Sequence, residues 1–171
     1  MNIHPIVVHF PIALLTIYAL LEIFTTKKLK DNETWFFIKS TFLFLGTLGA
    51  FAGLLTGNIA ANGIESELIE THERWAQIST IIFVFLSLIY ASLIKERYFG
   101  ERVRQILGES FLFTLYKKGI VVAHSLNKRV ILIPLALLGL IALTVTGALG
   151  GTIVRGTDAD FITKFIYSIL F

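Results

Sequence analysis

Two imidazoles and two prolines crowd the eight residues His4-Pro5-Ile6-Val7-Val8-His9-Phe10-Pro11, at the start of a long apolar run. Neutral imidazole binds a metal through one ring nitrogen while the other nitrogen is oriented by a hydrogen bond. An ionisable group at membrane depth costs free energy unless it faces a bundle interior and finds a partner, so each of these histidines is a functional-site hypothesis. His72 and His124 follow later in the chain. The chain has no cysteine, which excludes thiolate metal sites, iron-sulfur clusters, thioether-linked haem and disulfides. Any metal must then be held by histidine nitrogen or by oxygen.

The elements that must position these groups are membrane helices. Of 171 residues, 55% are hydrophobic and 16% charged. The apolar residues gather in four blocks, each close to the ~20 residues needed to cross ~30 Å of hydrocarbon. Spans are expected at about 5–24, 42–57, 75–94 and 130–150, giving an all-α, four-transmembrane-helix bundle that uses residues 1–171 as one membrane domain. No basic segment precedes the first span, so it is expected to be retained and not cleaved. Pro5 suits the first turn of a helix. Pro11 is expected to bend the first span and to free the Val7 carbonyl close to His9, where it can orient the imidazole. Gly49, Gly53 and Gly57 share one face of the second span, a stripe that admits another helix or a flat ligand. Ser66 is placed to cap the helix that carries His72.

Of the fifteen Lys and Arg residues, all but Arg74, Arg155 and Lys164 fall in or beside the first and third connections. By the positive-inside rule these connections are cytoplasmic and both termini lie outside. The basic balance is thus a matter of membrane topology and not a nucleic-acid surface. Residues 111–122 are apolar but broken by Lys117, Lys118 and Gly119, which predicts a cytoplasmic interfacial helix against lipid headgroups. Residues 158–171 carry a helical apolar period but are too short to span, which predicts an amphipathic helix on the outer surface. Glu22, the only carboxylate inside an apolar block, is expected to meet water near the cytoplasmic end.

This topology gathers His4, His9 and His72 at the outer end and leaves His124 as a hydrogen-bonded boundary residue at the inner one. Two ligand sets fit. In one, a haem b sits between His9 and His72 as axial ligands. His4 then serves a propionate or an outer contact, Arg74 and Arg155 pair with propionates, and Gly53, Gly57 and Gly147 make room for the ring. In the other, His4, His9 and His72 hold a mononuclear zinc, copper or iron ion. A third reading has no cofactor and makes the chain a structural or assembly subunit whose outer motif docks a partner.

The opening His4-Pro5-x-x-Val8-His9-Phe10-Pro11-Ile12-Ala13-Leu14, the later His72 and the closing Thr146-Gly147-x-x-Gly150-Gly151-x-x-Val154 resemble a family of small bacterial membrane proteins predicted to have four spans and of unknown function. Similar domains occur beside Rieske or c-type cytochrome modules. The resemblance therefore implies electron transfer in the bacterial cytoplasmic membrane, with quinol, a periplasmic carrier or a larger redox complex as partner. This chain departs from the pattern with Arg155 where relatives often have tyrosine, and with Asn58 where an acidic residue is expected.

Overall fold

The computed structural model describes residues 3–108 and 110–171. They form α1 (His4–Ile23), α2 (Lys27–Lys30), α3 (Glu33–Ala61), α4 (Glu67–Leu107), α5 (Phe111–Leu126), α6 (Arg129–Arg155) and α7 (Phe161–Leu170). Four of these, α1, α3, α4 and α6, are long and apolar enough to cross a membrane, as the hydropathy blocks predict. They close a ring in which α1 touches α3, α3 touches α4, α4 touches α6 and α6 touches α1. The two shorter flanking helices dock on it, α5 against α4 and α7 against α6.

α3, α4 and α6 run beyond their hydropathy blocks, whereas α1 matches its own. Asn32 starts α3, its side chain accepting the Trp35 N–H at 2.9 Å. The helix therefore takes in Trp35 to Thr41 ahead of the expected span. α4 has 41 residues, about 60 Å at 1.5 Å per residue and twice the hydrocarbon thickness. Lys95 to Leu107, expected as connection, are good helix formers without Gly or Pro except for Gly100. The helix ends only at Gly108, whose φ of 55° reverses the chain. Ser66 stands at the start of α4 in extended conformation but makes no side-chain capping bond, a departure from the expected cap.

Glycines set how closely the helices approach. A Cβ on Gly46 would lie 2.6 Å from the Leu15 side chain, and one on Gly49 3.2 Å from Pro11. Gly53 faces Val8 and Gly57 faces His4 in the same way. The stripe on α3 is therefore covered by α1, antiparallel to it. Gly139 of α6 faces Phe83 of α4 equally closely. Gly46→Ala must push α1 aside and is expected to cost about 1–3 kcal/mol, read as a lower midpoint in thermal unfolding in detergent. Gly147→Ala, whose Cβ would meet nothing within 4 Å, is the neutral comparison.

The core between the helices holds Leu15, Tyr18, Leu43, Phe83, Leu86 and Tyr90, all essentially inaccessible. Large apolar residues such as Leu48, Leu55, Ile81, Leu88 and Leu138 are exposed on the bundle surface, the pattern of helices solvated by lipid. α7 presents Phe161, Ile162, Phe165 and Ile169 outward while burying Thr163. Its cap is Asp160, which accepts the Thr163 N–H at 2.9 Å and the Thr163 hydroxyl at 2.8 Å. These bonds hold the Asp160 carboxyl below its ordinary value. A carboxylate with a depressed folded value stabilises above the ordinary Asp range and loses that contribution as pH falls through the depressed one. Acidification should thus fray α7 at its first turn, seen as loss of the Thr163 amide's slow exchange.

Candidate functional site

At one end of the bundle, α1 and α4 bring His4 and His72 together. The ring centroids are 6.3 Å apart and the planes cross at 86°. Both residues are half-buried. His72 Nδ1 lies 3.0 Å from the Thr146 carbonyl of α6. A carbonyl can only accept, so Nδ1 carries the proton and the lone pair is on Nε2. His4 Nδ1 lies 3.0 Å from Thr56 Oγ1 of α3. The Thr56 hydroxyl proton is directed to the Ala52 and Gly53 carbonyls at 2.9 and 3.1 Å, so Thr56 accepts from His4 and the His4 lone pair is again on Nε2.

A glycine admits each imidazole. A Cβ on Gly57 would lie 3.1 Å from His4 Cε1, and one on Gly150 would lie 3.2 Å from His72 Cε1. All four spans thus contribute, with rings from α1 and α4, and with orienting oxygens and close backbone from α3 and α6. In metal sites built on histidine, one ring nitrogen is commonly fixed by a hydrogen bond to the protein in this way.

The other residues singled out in the sequence lie around this pair. His9 is exposed, more than a turn further along α1, and its Nδ1 bonds the Pro5 carbonyl. The Val7 carbonyl, expected to do this, is two residues back and so about 200° round the helix, while Pro5 is four back on the same face. Arg74 is exposed and sits 3.5 Å from Glu70 one turn away, and Arg155 is exposed at the end of α6. Gly53 packs on Val8, and the position of Gly147 is open. Among the described residues no three of His, Cys, Asp and Glu converge as a metal-holding group.

A family described as predicted membrane protein (DUF2231) matches residues 1–159. The chain belongs to this family. Neither curated proteins nor solved structures give a match. Both members of the histidine pair, and the Thr56 and Thr146 that orient them, lie inside the DUF2231 region.

The opposite end of this DUF2231 protein holds a second polar cluster. Lys39 Nζ donates to Glu22 Oε2 at 2.8 Å, and the Tyr90 hydroxyl donates to the same oxygen at 2.5 Å. Glu22 is 2% exposed and Lys39 6%. Glu22 therefore does not meet bulk water as its place in the sequence predicts, because Lys39 and Tyr90 cover it. The signal was present in the spacing. The antiparallel register that sets His4 against Gly57 and Leu15 against Gly46 also sets Glu22 against Lys39. His124, at this end, bonds Glu96 at 2.6 Å, as a boundary residue should.

Proposed function

We propose that this chain is a b-type cytochrome-like electron-transfer protein of the bacterial cytoplasmic membrane, with one haem b held by His4 and His72 near the outer face and both termini outside. The observation that carries this reading is the pair itself: two imidazoles from different spans with centroids 6.3 Å apart, each with Nδ1 at 3.0 Å from an oxygen of another span. His4 and His72 would hold the iron, and the haem would supply the one-electron chemistry. A two-imidazole set is the ligation of a non-covalent haem in a helical bundle. A mononuclear site needs a third or fourth protein ligand, and His9 is turned away on the exposed side.

The chain's own part is to fix both rings through Thr56 and Thr146, to keep the imidazoles neutral, and to surround them with apolar helix. Arg74 and Arg155 lie at the same end and are suited to propionate carboxylates. The electron partners fitting this location are quinol, a periplasmic carrier or a neighbouring redox subunit. The test is an oxidised-minus-reduced visible spectrum of protein purified in mild detergent, with a metal assay on the same sample. Reversible Soret and alpha bands at one haem per chain are expected. Stoichiometric metal without those bands would replace haem by a bare ion. Neither signal, in folded protein supplied with haem, would favour the cofactor-free assembly subunit.

A further inference from the structure

Past its membrane span, α4 continues from Lys95 to Leu107, about 18 Å at 1.5 Å per residue, and α5 turns back along it. Glu96 bonds His124 at 2.6 Å, and a Cβ on Gly100 would lie 3.9 Å from the Tyr116 hydroxyl, so the two helices form an antiparallel hairpin. Glu96, Gly100, Val103 and Leu107 are half-buried along the α4 side of the contact, and Phe113, Ile120 and Ala123 are buried along the α5 side. In two antiparallel helices the residue just before each facing position turns about 100° round to the same flank. Lys95 shows this, reaching from its place before Glu96 to 5.4 Å from the Tyr116 ring. By the same rule that flank holds Phe99 and Ile106 of α4 and Leu112 of α5. Leu115 and Val122 adjoin Leu112 at helical spacing, Phe111 stands at the tip, and all six are exposed. The other flank carries Arg97, Arg104, Thr114 and Lys117 beside Val121.

Lipid does not reach most of this apolar flank. No proline interrupts α4, so the hairpin keeps the direction of the span. Headgroups occupy roughly 5–7 Å beyond the hydrocarbon, whereas Ile106, and Leu112 level with it, stand about 16 Å past Lys95. The last turns of α5, near Val122, lie at the headgroup level that its apolar sequence predicts, and its first turns stand in water. Large apolar side chains clustered in water mark a protein contact. Ile106 is 73% exposed and Phe111 79%. On the scale of ~150–250 Å² for a whole aromatic side chain, the six residues present on the order of 600 Å², against about 800 Å² per partner in a standard interface. A two-helix hairpin with one apolar flank is half of an up-down-up-down four-helix bundle. Copies of one membrane protein share an orientation, so a two-fold axis along the membrane normal closes that bundle. It sets α4 of each copy against α5 of the other, with Phe99 level with Gly119, where a Cβ would meet nothing within 4 Å.

We infer that two copies of this chain associate through their α4–α5 hairpins, closing a four-helix bundle outside the bilayer with Phe99, Ile106 and Leu112 in its core. The contact is at the far end of the molecule from the histidine pair, and it stands or falls without the haem. Because Ile106 and Leu112 are exposed on the single chain, replacing them leaves its internal packing untouched.

The chain has no cysteine, so one introduced at Leu112 reports on that place alone. In phosphatidylcholine vesicles at low protein density, Leu112→Cys treated with a short bismaleimide is expected to give a covalent dimer and nothing larger, whereas Thr114→Cys on the other flank stays monomeric. Light scattering in mild detergent should find the parent chain as a dimer. Ile106→Asp with Leu112→Asp should raise the dissociation constant at least tenfold, with helical circular dichroism equal to the parent's. Equal cross-linking at Leu112 and Thr114 would show chance encounter and overturn the inference. A bimane label on Leu112→Cys identifies any other occupant. Quenching of that label by brominated lipid would give the flank to the bilayer. A monomeric, uncross-linked chain whose label no lipid quenches would leave the flank to a different protein, and either result refutes self-association.

Discussion

His72→Ala and His4→Ala are each expected to abolish the haem spectrum, whereas His9→Ala and His124→Ala keep it. The contrast follows from where the four rings lie. His72 and His4 face one another and are held by Thr146 and Thr56, while His9 is turned to the Pro5 carbonyl and His124 to Glu96 at the other end. Loss of the spectrum should not reflect unfolding. The Thr146 carbonyl belongs to the α6 helix, so removing one neutral hydrogen bond costs about 0.5–1.5 kcal/mol. Thr56→Val keeps the shape but removes the oxygen that orients His4, and should lower haem affinity by about 10- to 100-fold. The measurement is haem per chain and the reduced alpha band, with size exclusion as the check on folding. Equal haem in all four histidine variants would refute the assignment, and loss in His9→Ala with retention in His4→Ala would move the ligand along α1.

Membrane spans were legible because continuous apolar runs of ~20 residues have almost no other use, and all four appear where the hydropathy blocks lie. Their ends were less legible, because a helix outside the bilayer is stopped by caps and glycines and not by polarity. Asn32 extends α3 towards the N-terminus and Gly108 ends α4 far beyond Ile94. The choice between His4 and His9 also depended on what hydropathy does not encode. Five residues apart, the two point about 140° apart around α1 at 100° per residue, and only contact with α3 and α4 decides which faces inward. The small residues of α3 hold that information. Read as a register and not merely as a stripe, they place His4 beside Gly57, and they place Glu22 beside Lys39.

Lys39→Met should be the most destabilising single substitution in the bundle, at about 3–5 kcal/mol. It leaves the Glu22 carboxylate buried with only the Tyr90 hydroxyl from the present pair of donors. Against a total stability on the order of 5–15 kcal/mol this is a large fraction. Glu22→Gln with Lys39→Met removes both charges while preserving volume. Because the desolvation of an ion pair offsets most of its attraction, the double variant should return close to the parent's stability. Tyr90→Phe removes one hydrogen bond to a charged group and should cost about 1.5–3 kcal/mol. Reversible unfolding in mixed micelles, read by tryptophan fluorescence, gives the coupling energy as a double-mutant cycle. A loss below about 1 kcal/mol for Lys39→Met would mean that water reaches Glu22 and solvates it, since solvated pairs have that range. The pair would then act as part of an open polar pocket and not as a structural fastening between α1 and α3.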